Sequence, residues 1–137
     1  MYQRYEQLHD DAKLIRKEVF VEEQGFHDEF DETDDAAVHL VFYEDNIPAA
    51  VCRYFPSQTP GEYKIGRVAV RSRFRNRHLG TTVMQTAEEN IRRDGGHSVV
   101  LSAQLRVKDF YEKNGYTAFG DVYMDESCEH IRMKKTL

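Results

Sequence analysis

Residues 65–82 carry the clearest signal of the fold, and they read Ile65-Gly66-Arg67-Val68-Ala69-Val70-Arg71-Ser72-Arg73-Phe74-Arg75-Asn76-Arg77-His78-Leu79-Gly80-Thr81-Thr82. It begins in an apolar strand, Tyr63 to Val70, whose end we expect to be buried on both faces. It continues through an arginine-rich loop into a long helix. The first backbone N–H groups of a helix lack internal acceptors and carry partial positive charge. The sequence therefore predicts a strand–loop–helix unit with a phosphate site where the helix begins.

The loop and the first helical turn offer further groups to an anion. Gly80 would let the backbone approach a ligand without a Cβ in the way. Arg75 and Arg77 would add charge-assisted hydrogen bonds. The run lacks the Gly-Lys-Ser/Thr ending of a Walker A loop and the glycines of a dinucleotide fingerprint. A solvated arginine-rich loop in front of an amphipathic helix is the alternative interpretation.

Upstream of this unit, the pattern predicts one helix and two strands. Four apolar residues follow the spacing of a helix with one apolar face, which we expect to end near Gly25. An acidic loop follows, and the turn residues Asn46-Ile47-Pro48 separate two apolar runs. The helical residues are Leu8, Ala12, Ile15 and Val19. The predicted strands are Ala37 to Tyr43 and Ala49 to Phe55.

Downstream, the pattern predicts two helices and three strands. The long helix has Leu79, Val83, Ala87 and Ile91 on one face and ends at Asp94-Gly95-Gly96. The later elements are a strand at Ser98 to Ala103, a short helix at Val107 to Lys113, and strands at Thr117 to Phe119 and His130 to Met133. The predicted fold class is α/β, with a mixed sheet covered by helices on both faces.

Composition limits the classes of function. The chain has 137 residues and a net charge of −5, which fits one domain over residues 1–137 and argues against a general nucleic-acid binder. No apolar run is long enough to cross a bilayer, and no signal segment is visible. Two cysteines, Cys52 and Cys128, are too few for a disulfide framework or a zinc site, and Cys52 is typical of a buried hydrophobe. We expect a cytoplasmic protein with no metal, membrane or nucleic-acid partner.

Charge is distributed unevenly along the chain. Five arginines and no acid lie between Arg67 and Arg77, whereas eight acids and no lysine or arginine lie between Glu22 and Asp35. The eight acids are Glu22, Glu23, Asp28, Glu29, Asp31, Glu32, Asp34 and Asp35. The long-range field of so many carboxylates would attract a cationic amine, such as a polyamine, an amino sugar or a lysine-like side chain.

Two motifs together resemble the signatures of the GNAT superfamily of N-acetyltransferases. The run from Arg75 to Gly80 is similar to the Arg-x-x-Gly-x-Gly/Ala loop that binds the coenzyme A pyrophosphate, with His78 where the family usually has glycine. The run from Gln104 to Tyr116 is similar to the second signature, in which Tyr111 matches the tyrosine directly, Gln104 takes an asparagine place and Val107 an alanine place. Further matches resemble the ElaA-like branch: Arg16, Val19 to Gln24, Asp34 to His39, Ala103-Gln104, His130 and Met133.

The resemblance implies a single GNAT-like domain in which the fourth and fifth strands splay apart. These strands would be Tyr63 to Val70 and Ser98 to Ala103, with the pantetheine arm between them, and a short first strand would fall in Met1 to Tyr5. Pantetheine amides would pair with the strand backbone, and a homodimer is plausible because dimers are common in the family. The implied coenzyme A-binding residues are Val68, Ala69, Val70, Arg75, Asn76, Arg77, His78, Leu79, Gly80, Thr81, Gln104, Val107, Phe110, Tyr111 and Lys113.

Acetyl transfer from acetyl-coenzyme A to an amine needs a proton donor for the departing thiolate and a base for the amine. The resemblance places Tyr111 beside the sulfur, where a hydroxyl with an ordinary pKa of about 10 can act as general acid. Candidates for the base or acceptor site are Glu22, Glu23 and His39, or a water chain ending on one of them. His39 is also typical of a buried core histidine, and the glutamates are also typical of a solvated loop.

The sequence therefore predicts an N-acetyltransferase that acts on a primary amine, a small cationic molecule, by direct attack in a ternary complex. Two other functions fit the same residues. One is a non-catalytic coenzyme A-binding module, which the histidine at position 78 would suit. The other is a nucleotide- or polyanion-binding regulatory domain that uses the loop from Arg67 to Arg77.

Overall fold

A seven-stranded mixed sheet forms the centre of the protein. The structure, a computed structural model, describes residues 1–26, 30–125 and 127–137. The strands are β1 (Tyr2–Tyr5), β2 (Val38–Glu44), β3 (Ile47–Pro56), β4 (Glu62–Val70), β5 (Ser98–Gln104), β6 (Thr117–Asp125) and β7 (Cys128–Thr136). Their order in the sheet is β1-β2-β3-β4-β5-β7-β6. The β4–β5 pair is parallel and the other neighbouring pairs are antiparallel.

Helices cover both faces of this sheet. They are α1 (Asp10–Arg16), continued by a π-helical segment (Lys17–Glu23), then α2 (Thr33–Ala36), α3 (Leu79–Arg93) and α4 (Lys108–Lys113). Two short 3₁₀ turns, Ser72–Phe74 and Leu105–Val107, precede α3 and α4. No helix of the described residues has both the length and the apolar character that crossing a membrane requires.

The alternation of side chains along β3 produces two apolar cores. Ala50, Cys52 and Tyr54 face the larger core, in which they pack with α3 and α4. Val51 faces the opposite side and packs with α1. Successive residues of a strand point to opposite faces, so this central strand serves both layers. Burial raises the pKa of Cys52 to about 12, which confirms the prediction that it acts as a buried hydrophobe.

The parallel strands β4 and β5 separate after a short common stretch. Glu62 to Lys64 pair with Ser98 to Val100, and beyond Lys64 the described part of β4 has no strand partner on its β5 side. This confirms the splayed pair of strands. The prediction that the end of β4 is buried on both faces is wrong: Ala69 is buried, but Val68 and Val70 are only half-buried. The reason is the loss of the neighbouring strand on one side.

The other differences from the predicted elements occur at the edges of the sheet. The last two strands extend over nine residues each, well beyond the short runs predicted. An edge strand such as β6 is mostly exposed, and a register shift between Phe119 and Tyr123 interrupts its pattern, so its length is poorly visible in hydrophobicity. Part of the predicted acidic loop forms α2 instead.

Candidate active site

The splay of β4 from β5 opens a cleft of about 460 Å³. Val68 of β4 lines one wall, and Leu101 and Gln104 of β5 line the other. Tyr111 of α4 and His130 of β7 also line it. Clefts of this size are typical of small-molecule sites, so the divergence of two strands creates a candidate site near the middle of the sheet.

A β-bulge in β4 shapes the cleft wall. Val51 pairs with Ala69 and Arg53 with Gly66, so two residues of β4, Arg67 and Val68, lie opposite the single residue Cys52. Arg67 has φ +50°, in the left-handed region. Bulges redirect side chains and often lie next to functional sites. Here the bulge brings the backbone and side chains of both residues to the cleft.

The backbone between β4 and α3 forms a cradle of N–H groups. In the described structure, no backbone N–H from Asn76 to Thr81 donates a hydrogen bond to a protein acceptor. Asn76 and His78 have φ values of +64° and +60°, in the left-handed region. These turns and the open first turn of α3 provide a concave set of donors that suits phosphate oxygens. The predicted anion site therefore has the expected geometry.

His78 adopts the left-handed backbone conformation, which glycine adopts more easily than histidine. A histidine at this position therefore strains the backbone. We expect His78→Gly to leave the fold unchanged and to preserve or strengthen coenzyme A binding, because the strained left-handed residue contributes its backbone rather than its side chain. Relief of that strain should raise the free energy of unfolding by about 1 kcal/mol. Isothermal titration with coenzyme A measures the affinity, with Asn76→Gly as the matched control. A clear loss of affinity in His78→Gly alone would show that the imidazole itself binds the phosphate.

Gly80 also makes room for a neighbouring side chain of the protein. A Cβ at this position would lie 3.1 Å from Cζ of Phe110, so the absence of a side chain allows α4 to approach the start of α3. The neighbour that needs the space is thus an aromatic ring of the protein. The ring of Phe110 therefore lies against Gly80, in the first turn of α3.

The arginines of the loop are held by the protein itself. Arg75 forms a two-pronged ion pair with Glu23, with distances of 2.7 and 2.8 Å, and its Nε donates to the Val70 carbonyl at 2.9 Å. Arg71 pairs with Glu18 at 3.0 and 3.2 Å. Arg73 and Arg77 lie over the buried ring of Phe74. The loop is therefore an ordered, largely neutralised structure around one aromatic anchor.

Three described acids of the acidic stretch, Glu23, Asp31 and Asp34, are likewise paired with arginines. The Asp34 carboxylate accepts hydrogen bonds from Arg16 at 2.7 and 3.1 Å and from Arg53 at 2.8 Å. Asp31 accepts from Arg53 at 2.7 Å and from Arg67 at 3.3 Å. Arg16 is 0% and Asp34 is 3% exposed. Asp28 and Glu29 lie outside the described residues.

Tyr111 lies at the end of the cleft nearest α4. Its side chain is 9% exposed and packs edge-on against Phe110 and Tyr116. Among the described residues its hydroxyl forms no hydrogen bond to the protein. Burial raises the pKa of Tyr111 above its ordinary value of 10.0. The phenol therefore stays protonated at neutral pH and is open to a partner in the cleft.

The residues predicted as base lie in three different settings. His39 is completely buried on β2, where its Nε2 bonds to the Asp34 carbonyl at 2.9 Å and burial lowers its pKa. Glu23 is bound to Arg75, whose hydrogen bonds lower the pKa of this carboxylate. Glu22 is exposed and does not line the cleft. The structure does not bring these three side chains together.

The predicted coenzyme A-binding residues lie in four different settings. Val68, Gln104, Val107 and Tyr111 line the cleft, and residues 75–81 form the loop and cradle. Ala69 directs its side chain into the core beside α1, and Val70 and Phe110 pack against the larger core. Lys113 is exposed at the end of α4.

The polar contacts of the cleft were not recognised from the sequence, and neither were Gln24, Ser102 and Arg106 as residues that line it. Gln104 donates to Gln24 Oε1 at 2.9 Å and accepts from Arg106 Nε at 2.9 Å, so a polar chain crosses the cleft mouth. Ser102 and Tyr123 are hydrogen-bonded to each other at its side. The contacts of Gln104 with Gln24 and of Ser102 with Tyr123 join residues 80 and 21 positions apart, and hydrophobic periodicity carries no signal for them.

The described residues contain no cluster of side chains suited to a metal ion. No group of three His, Cys, Asp or Glu side chains in them could hold a metal ion. Cys52 and Cys128 are free thiols.

Comparison with known proteins identifies similar sequences and folds. The family model described as an acetyltransferase (GNAT) domain matches residues 6–137. A Bacillus subtilis (strain 168) protein named as the uncharacterized N-acetyltransferase YjcF is 31% identical over 133 residues, covering 95% of this chain and 93% of that protein. Escherichia coli ElaA has a similar structure, with a TM-score of 0.87 and 25% identity over 98% of both chains. An acyl-CoA N-acyltransferase from Pseudomonas aeruginosa has a TM-score of 0.85 and 27% identity over 98% of both chains.

Proposed function

The chain belongs to the GNAT acetyltransferase family, and from that premise we propose that it acetylates a primary amine. It is an acyltransferase, and acetyl-coenzyme A is the acetyl donor of the family. The observation that carries the proposal is the cleft between β4 and β5, which a buried tyrosine lines. A cradle of unpaired N–H groups follows β4 in the chain, at the start of α3. In our proposal the amine attacks the thioester directly while both substrates are bound.

The residues present fit coenzyme A along its length. The pyrophosphate would accept hydrogen bonds from the free N–H groups of residues 76–81. The pantetheine amides would pair with the open edge of β4 beyond Lys64, where strand-like hydrogen bonding has no protein partner among the described residues. The thioester would then reach the end of the cleft that holds Tyr111. Bound acetyl-coenzyme A supplies the activated acetyl group.

Tyr111 is the proposed general acid. Its raised pKa makes proton transfer to a fully hydrated thiolate unfavourable, because such a thiolate is the weaker base. Within the cleft, however, loss of water raises the basicity of the thiolate by the same mechanism that acts on the phenol. The two groups remain comparable, so the hydroxyl can protonate the sulfur as the C–S bond breaks.

The acceptor that we propose is a primary amine with a small cationic framework. The attraction would come mainly from Asp125, which lines the cleft and has no ion pair among the described residues. Asp31 lines the cleft as well, but it is paired with Arg53 and Arg67. Arg67 and Arg106 line it as well and moderate the field. Rates that are insensitive to salt and equal for neutral and cationic amines would contradict a cationic acceptor.

Thermal-shift titrations with acetyl-coenzyme A, coenzyme A and ATP test the proposed function first. Stabilisation by both coenzyme A forms and little by ATP is the expected result, followed by turnover of an amine. Equal stabilisation by ATP would favour the polyanion-binding alternative, which the internal pairing of the loop arginines and the burial of Phe74 make less favourable. Coenzyme A binding without turnover of any amine would favour the non-catalytic alternative.

Glu23 competes with phosphate for Arg75, which leads to a specific prediction. We expect Glu23→Gln to strengthen coenzyme A binding several-fold, because the guanidinium loses a charged partner at 2.7 Å and becomes available to the cofactor. Isothermal titration measures the change. Glu22→Gln is the matched control, since it removes the same charge one residue away, outside this ion pair. Equal changes in both variants would show that only the general field matters.

A homodimer and a cytoplasmic location stay predictions of the sequence. The outer edge strand β6 exposes Phe119, Val122 and Met124, which are compatible with a contact between copies. Light scattering of the purified protein measures the oligomeric state directly.

A further inference from the structure

We propose that His130 is the general base that takes a proton from the acceptor amine. The inference rests on the proposed function and adds to it the residue that activates the nucleophile. His130 lies on β7, opposite Gln104 of β5 and Tyr123 of β6. It lines the same cleft as Tyr111. A proton acceptor and a proton donor thus border one space, as acyl transfer to an amine requires.

The hydrogen bond of the ring defines its tautomer. His130 Nδ1 lies 2.9 Å from the Cys128 carbonyl oxygen. A carbonyl oxygen has no proton, so Nδ1 must donate. In the neutral ring, Nε2 then carries a lone pair. Among the described residues Nε2 has no hydrogen-bond partner. It is not completely buried either, in contrast to the unpartnered Nδ1 of His39.

The ring is also held in place. It stacks on Tyr123 with a centroid distance of 5.9 Å and an interplanar angle of 28°. The Tyr123 hydroxyl is hydrogen-bonded to Ser102 on β5. His130 is 8% exposed, so it is a fixed wall residue rather than a mobile surface group. A base oriented by a second group is the usual arrangement in proton transfer.

The other candidate bases lack this combination. His39 is sealed in the protein, and the Asp34 carbonyl occupies its Nε2. Glu23 is bound by a guanidinium. His130 therefore is the described histidine or glutamate that combines a fixed orientation, an available lone pair and a place in the cleft.

The proton transfers balance over one turnover. As the C–N bond forms, the amine N–H bond breaks and its proton passes to His130 Nε2. As the C–S bond breaks, Tyr111 gives its hydroxyl proton to the sulfur. The proton on His130 then returns to Tyr111 through solvent, and both side chains regain their initial states.

Steady-state kinetics of His130→Gln test the proposal. Spermidine, glucosamine and Nα-acetyl-lysine serve as acceptors, and kcat/KM is measured against pH with the best of them. We expect a loss of 100-fold or more near neutral pH, on the order that acid–base catalysis contributes, with an unchanged Kd for coenzyme A. The acid-side fall of the profile should disappear. His97→Gln, at an exposed histidine outside the cleft, is the matched control.

Other groups near the ring require a second control. The titratable or charged side chains that line the cleft with His130 are Asp31, Arg67, Arg106, Tyr111 and Asp125, and Tyr123 stacks on the ring. Asp125→Asn should retain the acid-side fall. If His130→Gln keeps that fall and a rate within threefold of the parent protein, His130 is not the base, and the proposed acetyltransferase activity still stands.

Nitrogen-15 NMR of the histidine rings provides a readout that needs no acceptor. Long-range ¹H–¹⁵N spectra, assigned with His130→Gln, should show the proton of neutral His130 on Nδ1. A proton on Nε2 would overturn the proposal. If the parent protein binds coenzyme A but acetylates no amine, the proposed function fails, and the base role that rests on it fails as well.

Discussion

Tyr111→Phe is expected to lower kcat at least 100-fold while the Kd for coenzyme A changes little. The substitution removes one oxygen atom from a side chain that otherwise fills the same buried space. The departing thiolate then forms without its proton donor, and general acid catalysis typically contributes 10²- to 10⁴-fold. Steady-state kinetics with acetyl-coenzyme A and the best amine measure kcat, and isothermal titration measures coenzyme A binding.

Tyr116→Phe is the control for this experiment. Tyr116 is also buried and packs edge-on against Tyr111, but its hydroxyl donates to Glu88 at 2.8 Å, and it does not line the cleft. Its variant should lose stability and retain turnover. A Tyr111→Phe enzyme with unchanged kcat would refute the general-acid role without affecting the cofactor site.

The largest expected effect on stability is at Asp34. This carboxylate binds two buried arginines, Arg16 and Arg53. Removal of its negative charge leaves the two guanidinium groups as buried charges without full compensation. Breaking such a buried pair costs about 3–5 kcal/mol, so Asp34→Asn should lower the free energy of unfolding by about 3 kcal/mol. Urea denaturation measures the loss. Asp35→Asn, at the exposed neighbour, should change it by less than about 0.5 kcal/mol.

The same carboxylate makes stability depend on pH. Burial would raise the pKa of Asp34, but the hydrogen bonds from Arg16 and Arg53 outweigh burial and hold the pKa at about 2. The folded pKa lies below the ordinary value of 3.8, so the stabilisation is complete above about pH 4 and is lost as the pH falls toward 2. It amounts to about 2 kcal/mol. The parent protein and Asp34→Asn should therefore approach each other in stability at acid pH, and parallel curves would contradict this account.

The strand–loop–helix unit was predictable from the sequence because its signals are local. Apolar spacing placed α3, and Val83, Ala87 and Ile91 are fully buried as expected. The open N–H groups at its start follow from helix geometry at any such terminus. The motifs around Gly80 and Tyr111 identified the family, and family membership supplied the splayed strands that periodicity alone does not reveal.

The ion pairs of the charged stretches were not predictable from the sequence, because the partners are distant in sequence. Glu23 and Arg75 are 52 positions apart, and Arg16 and Asp34 are 18 apart. Read along the chain, the acids and the arginines form two separate blocks of opposite sign. In the described part of the fold, two ion pairs join the blocks, Glu23 with Arg75 and Asp31 with Arg67, so a substrate meets less charge than either block contains.

By itself, the sequence determined the main helices and strands, the family, and Tyr111 as the candidate general acid. Each of these depends on residue type at short, regular spacing. Only the tertiary structure decided which charges face the cleft and which are paired, and that His130 rather than His39 borders it. Both histidines lie on apolar strands and are indistinguishable by pattern. Strand register and the divergence of β4 from β5 place one in the cleft and seal the other, because side-chain exposure depends on what packs against each face.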